Sequence, residues 1–92
     1  MVVFLETPYE MAENVAKRFR KVRASKKITM KALSESSGVP YSTIRRFEST
    51  GEISFLSFVK ITSALGEDQE IEKLFADTIP KTIEEVIRGN RR

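Results

Sequence analysis

The 92-residue chain contains no cysteine, no histidine and no tryptophan. Without cysteine there can be no disulfide and no thiol nucleophile. Losing histidine as well removes the imidazole base and the common zinc ligand sets. A metal site built only of carboxylates needs acids at ligand spacing, and no acidic cluster has it. Adjacent pairs such as Glu84-Glu85 and Glu67-Asp68 point in different directions on a helix, so they read as solvation and caps. No enzyme activity, metal or cofactor is expected. Long apolar runs are also missing: near the start the longest is Val2–Leu5, too short for a signal peptide or a membrane span. The expectation is a cytoplasmic protein, with no membrane partner and one domain around one small core.

Acidic charge is scarce where basic charge is dense. The net charge is +3, but it is unevenly spread. Residues 1–16 hold three acids and no base, whereas residues 17–46 hold ten bases and one acid, a net +9. Residues 47–87 hold nine acids and three bases, a net −6, and three arginines follow in the last five residues. A basic block of this size suits a surface that faces phosphate.

Within and just beyond that block, Thr29–Glu48 reads as two short helices joined by a tight turn. Thr29 is an N-cap, its hydroxyl placed to accept from the first turn's free N–H groups. Leu33 anchors the first helix in the core. Gly38 ends it, because glycine enters the left-handed region without a Cβ penalty. Val39 pins the turn, and Pro40 pre-sets φ for the next helix start. Ile44 and Phe47 form that helix's inner stripe, which leaves Tyr41, Ser42, Thr43, Arg45 and Arg46 outside. An aromatic phenol, hydroxyls and adjacent guanidiniums suit the edges of base pairs. Tyr41, Ser42, Arg45 and Arg46 are therefore the candidate base readers; one arginine reaches bases, and the other is better placed for phosphate. Thr29, Met30 and Lys31 lie at a helix N-terminus, where N–H groups and the helix dipole attract phosphate.

The rest of the chain divides around this centre. Residues 1–7 form an N-terminal arm, 8–78 the DNA-binding domain, and 79–92 a C-terminal helix with a basic tail. Thr7-Pro8-Tyr9-Glu10 has the capping-box arrangement and starts a helix to about Ser25. Its inner stripe is Met11 or Ala12, Val15, Phe19 and Val22, and its outer face holds Lys17, Arg18, Arg20 and Lys21. Ser49-Thr50-Gly51-Glu52 reads as a turn. Ser54 caps a fourth helix, about Phe55–Leu65, with Phe55, Phe58, Val59, Thr62 and Leu65 on one side, flanked by Leu56 and Ile61. As the most hydrophobic helix it is expected at the centre of the core. Asp68 caps a short fifth helix with Ile71, Leu74 and Phe75. After Pro80, Thr82 with Glu85 starts a sixth, carrying Ile83, Val86 and Ile87, and Gly89 ends it.

Residues 29–48 resemble the helix-turn-helix of the lambda-repressor-like, or Xre/Cro, family. The carrying residues are Thr29, Ser34, Gly38, Val39, Ile44, Phe47 and Glu48. Arg23 and Ala64-Leu65-Gly66 extend the resemblance, so that it covers about Val15 to Phe75. It implies an all-α fold of five to six helices and an ion pair between Arg23 and Glu48. It also implies further phosphate contacts from Thr43 and from the backbone of Ser49, Thr50 and Gly51. The chain departs from the pattern at three places: Lys27 stands where many members have Gly, Met30 where many have a phosphate-contacting Gln, and Ser37 where an apolar residue is usual. The Met30 contact is then expected from its backbone.

The expected function is sequence-specific binding of double-stranded DNA by a transcriptional regulator, a repressor acting by occlusion. One recognition helix reads only a few base pairs, so a homodimer on two half-sites is expected. The acidic half has more apolar residues than one small core can use. Ile71, Leu74, Phe75, Ile83, Val86 and Ile87 are therefore the candidate dimer or partner surface, with Val2–Leu5 adding to it. The alternative is a DNA-binding antitoxin of a type II toxin–antitoxin pair, similar to the HipB-like group, in which part of that surface binds a toxin protein.

Overall fold

The computed structural model describes residues 5–78. Within them the chain forms five α-helices and no strand: α1 Pro8–Ser25, α2 Met30–Ser37, α3 Tyr41–Thr50, α4 Phe55–Ala64 and α5 Asp68–Glu72. The expected sixth helix, with Ile83, Val86 and Ile87, lies outside the described residues, as do Met1–Phe4 of the arm.

Side-chain caps start three of the helices. At α1 the full capping box is present: Thr7 Oγ1 accepts from Glu10 N–H at 3.1 Å, and the Glu10 carboxylate accepts from Thr7 N–H at 2.8 Å. Thr29 Oγ1 accepts from Ala32 N–H at 3.0 Å to start α2, and Ser54 Oγ accepts from Ser57 N–H at 3.1 Å to start α4. Each such cap contributes about 1 kcal/mol. Pro40 immediately precedes α3, with φ −57° and ψ 144°, and no side chain caps that helix. One start differs from expectation. Asp68 is inside α5, and Glu67 precedes it without a side-chain cap.

Gly38 ends α2 at φ 78°, its N–H donating to Ser34 C=O at 2.9 Å. The turn is then stapled by two serines: Ser34 Oγ donates to Val39 C=O at 2.7 Å, and Ser37 Oγ accepts from Val39 N–H at 3.1 Å. Ser37 thus has a polar task where the family usually places an apolar side chain. Lys27, between α1 and α2, has φ 58°, the left-handed conformation that explains why glycine is common there.

The core is smaller and lies elsewhere than the sequence predicts. Phe47, Leu33, Ile44 and Ile61 are its largest fully buried side chains, joined by Ala16, Phe19, Val39 and Leu65. Its centre is the helix-turn-helix, with α4 packed over it through Ile61, Thr62 and Leu65. Phe19, Phe47 and Phe58 join α1, α3 and α4: ring centroids lie 5.3 Å apart for Phe19–Phe47 and 5.4 Å for Phe47–Phe58, both edge to face. Phe55, expected on the inner side of α4, and the flanking Leu56 are both exposed in its first turn. On α1, Ala12 rather than Met11 faces inward, and Ala16 is buried where periodicity favoured Val15.

The far end of α4 is held by Lys26, whose Nζ donates to Leu65 C=O at 2.6 Å and pairs with Glu67 at 2.8 Å. This ties the α1–α2 connection to the start of α5. Beyond it Ile71 is half-buried, while Leu74 and Phe75 are 48% and 78% exposed, so the core does not use them.

Candidate nucleic-acid interface

The interface begins with a rigid support. Arg23 Nε donates to Glu48 Oε2 at 2.6 Å, and Arg23 Nη2 donates to Glu48 Oε1 at 2.8 Å. Its Nη1 also donates to Ile28 C=O at 2.8 Å. One guanidinium therefore joins the end of α1, the α1–α2 connection and α3. Side-chain exposures of 12% and 6% keep this fork out of water, where bidentate charge-assisted bonds are strongest. Hydrogen bonding to Glu48 raises the Arg23 pKa above its ordinary value; burial opposes this, and the Glu48 and Tyr41 charges add to it. Since the folded-state pKa of this cation is raised, its stabilisation is complete below the unfolded value and is lost only in strongly alkaline solution. Around neutrality the pair is a fixed strut.

On that strut α3 buries Ile44 and Phe47, and turns Tyr41, Ser42, Arg45 and Arg46 outward. Tyr41 is 47% exposed, so its phenol is half available. The adjacent arginines diverge. Arg46 shares an open groove with Ser42, Thr43, Glu52, Ile53, Ser54 and Ser57. There its Nη2 donates to the Glu52 carboxylate. Arg45 borders a separate concavity beside α1 and α2. The structure thus brings Ser42, Thr43 and Arg46 together and sets Arg45 apart from them.

Thr29, Met30 and Lys31 stand at the start of α2 as expected. Thr29's hydroxyl oxygen accepts the capping bond from Ala32 N–H, which leaves its O–H and the free N–H groups of the first turn to donate to an anion. Met30's side chain is half-buried and packs against the core. Lys31 is exposed.

Ser49, Thr50 and Gly51 differ from expectation. They form the last turn of α3 and its cap, not a free loop. Ser49 Oγ donates to the Arg45 and Arg46 carbonyls at 3.1 Å, and Thr50 Oγ1 donates to Arg46 C=O at 2.8 Å. Gly51 N–H donates to Phe47 C=O at 2.7 Å. Of the backbone donors expected to meet phosphate, the Gly51 N–H is thus used in capping α3. Gly51, at φ 83°, lies directly against α1: a Cβ there would stand 2.7 Å from the Ala12 carbonyl carbon.

Sequence reasoning missed Glu52. Its contact crosses the end of α3, six positions after Arg46, and no helical spacing pairs residues that far apart. Among the described residues, no group of three or more carboxylates could hold a metal ion, and no helix is long and apolar enough to cross a membrane.

Comparison with curated proteins and with solved structures gave no match. A family model described as Helix-turn-helix matches residues 19–68, from the second half of α1 to the first residue of α5. That span is more than half of the chain and contains the Arg23–Glu48 strut, the capped α2, the Gly38 turn and the outward face of α3. The chain belongs to the Helix-turn-helix family of lambda-repressor-like (Xre/Cro) DNA-binding transcription regulators.

Proposed function

We propose that the protein binds a specific duplex sequence as a homodimer and represses transcription by occluding that site. The carrying observation is α3 itself. Its inner side chains Ile44 and Phe47 are 0% and 2% exposed, while Tyr41, Ser42, Arg45 and Arg46 face outward. A helix fixed so firmly on one side presents its other side as a rigid reading edge for the major groove. The net +9 of residues 17–46 supplies the sequence-independent attraction to phosphate. Each subunit reads one half-site, and the two half-sites lie about one helical turn apart. Residues 66–87 supply the dimer contact, away from the basic face where like charges would repel. The exposed Leu74 and Phe75 at the edge of the described residues support that placement.

The experiment is selection of duplex sites from random DNA with the unchanged chain and with Arg46→Ala. Arg46→Ala should lower affinity for the selected site by about 1–3 kcal/mol and relax one position of the logo. A logo left unchanged would remove Arg46 from the reading, and with it the proposed orientation of α3 in the groove.

The same exposed Leu74 and Phe75 favour one second reading, an antitoxin whose apolar C-terminal part also binds a toxin protein. Co-purification of a stoichiometric partner encoded by the neighbouring gene supports it. A purified homodimer that binds its operator with full affinity and takes up no such partner argues against it.

A further inference from the structure

Of the residues lining the groove between α3 and the start of α4, Arg46 and Glu52 are the charged ones, and they are paired. Arg46 Nη2 donates to Glu52 Oε1. Both side chains are exposed, and an exposed pair does little for stability. Its use lies in where the chain places it. Gly51 ends α3 at φ 83°, close against Ala12 of α1, and the chain turns there so that Glu52 comes back over the last turns of the helix. Thr50 joins the same two residues a second time. Its hydroxyl donates to Arg46 C=O at 2.8 Å and accepts from Glu52 N–H at 3.1 Å. Arg46 and Glu52 are thus linked through their side chains and, by way of Thr50, through their backbones.

A carboxylate beside a surface that faces phosphate repels the duplex. Set against Arg46, that repulsion has a direction. The pair fixes a long side chain in one place, so less ordering is left for the moment of binding. It uses one N–H of the guanidinium, and the others suffice for a two-bond contact with guanine O6 and N7. The pair also keeps Arg46 from the backbone. A guanidinium that swings to a phosphate of random DNA leaves the carboxylate unpaired beside that phosphate, which penalises the wrong complex. Arg45, next to Arg46, makes no ion pair among the described residues, so of the two adjacent arginines only Arg46 is held.

We propose that Glu52 is the positioning residue for base reading. It holds Arg46 toward guanine and away from phosphate, and so sets the preference for the selected site over random DNA. Glu52 itself reads no base. The inference rests on the duplex-binding reading above, with Arg46 as a base reader.

The test is Glu52→Ala in the full chain, with the site reselected from random duplexes and affinities measured across a salt series. The ratio of affinities, selected site over random DNA, should fall about tenfold, within what a guanine contact contributes. The logo should flatten at the position that Arg46→Ala relaxes. On random DNA the slope of log K against log salt should steepen by about 0.9, because the released Arg46 gains one phosphate. In an Arg46→Ala background Glu52→Ala should change neither ratio nor logo, since Glu52 acts through Arg46. Urea melts of the variant should match those of the unchanged chain. A ratio and logo untouched by Glu52→Ala would reduce the pair to a surface contact and overturn this inference alone, with Arg46 still a reader. A logo that changes at a second position, or changes again in the Arg46→Ala background, would make Glu52 a base reader and also overturn it. A logo indifferent to Arg46→Ala, or no selected sequence from the unchanged chain, overturns the duplex-binding reading and this inference with it.

Discussion

Arg23 shows how much one side chain carries when its geometry is complete. Its guanidinium serves both oxygens of Glu48 and the Ile28 carbonyl, so removing either partner strands a charge that is nearly out of water. Breaking a buried pair in this way costs about 3–5 kcal/mol, against about 0–1 kcal/mol for an exposed one. Arg23→Ala and Glu48→Ala should each lower stability by an amount in the first range. A double-mutant cycle in urea should return a coupling well above 1 kcal/mol; a coupling near zero would show that the two do not act on each other in solution. Lys27 tests the opposite case, a residue at odds with its backbone. At φ 58° it bears the penalty for a left-handed L-residue, about 1 kcal/mol. Lys27→Gly should recover part of that and raise the urea midpoint, even though glycine increases the entropy of the unfolded chain. Ser34 and Ser37 belong to this scale too: their hydroxyls hold the Val39 backbone, a use that composition alone does not reveal.

Among the elements, α1 and α3 determine where the reading edge sits. They touch at three levels: Ala12 against Gly51, Phe19 against Phe47, and Arg23 against Glu48. The lowest level leaves no room for a side chain, since a Cβ on Gly51 would meet backbone atoms of Ala12 and Glu13 at 2.7–2.9 Å. Backbone cannot move aside as a flexible side chain can. Gly51→Ala must therefore bear the left-handed penalty and also separate the two helices. Gly38→Ala, with nothing within 4 Å of its Cβ, bears the first cost alone. In thermal melts Gly51→Ala should lose more stability than Gly38→Ala, the latter losing about 1 kcal/mol. Gly51→Ala should also lose duplex affinity at temperatures where it is still folded, because α3 is displaced. Equal losses of stability would mean that the helices separate at no cost. The caps at Thr7, Thr29 and Ser54 were legible because an N-cap depends on residues three apart, all within one turn.

At the scale of the molecule, the core among the described residues ends at Leu65, and the exposed apolar side chains go on beyond it. No fully buried side chain follows Leu65 among the described residues, while Leu74 and Phe75 stay exposed. Deleting residues 79–92 should leave the melting transition of the helix-turn-helix domain close to that of the full chain. Sedimentation should shift towards the monomer, and affinity for a palindromic site should fall much more than affinity for a single half-site. A deletion variant that stays dimeric with full affinity would move the dimer contact to residues 66–78 or to another face. The sequence by itself determined the five described helices, the caps at Thr7, Thr29 and Ser54 and the helix-turn-helix, each of which depends on local spacing or on a motif contained within a few turns. The Arg23–Glu48 pairing, across 25 positions, was legible only through the family resemblance. Only the tertiary structure decided that Phe55 and Leu56 lie outside the core and that Ser49–Gly51 continue α3. It also decided that Arg45 and Arg46 part company, one toward Arg20 and Met30 and the other toward Glu52. Helical periodicity tells which side of a helix is apolar, but not how far the neighbouring helices extend to cover it. Nor does it tell which charges from distant turns come to share one groove.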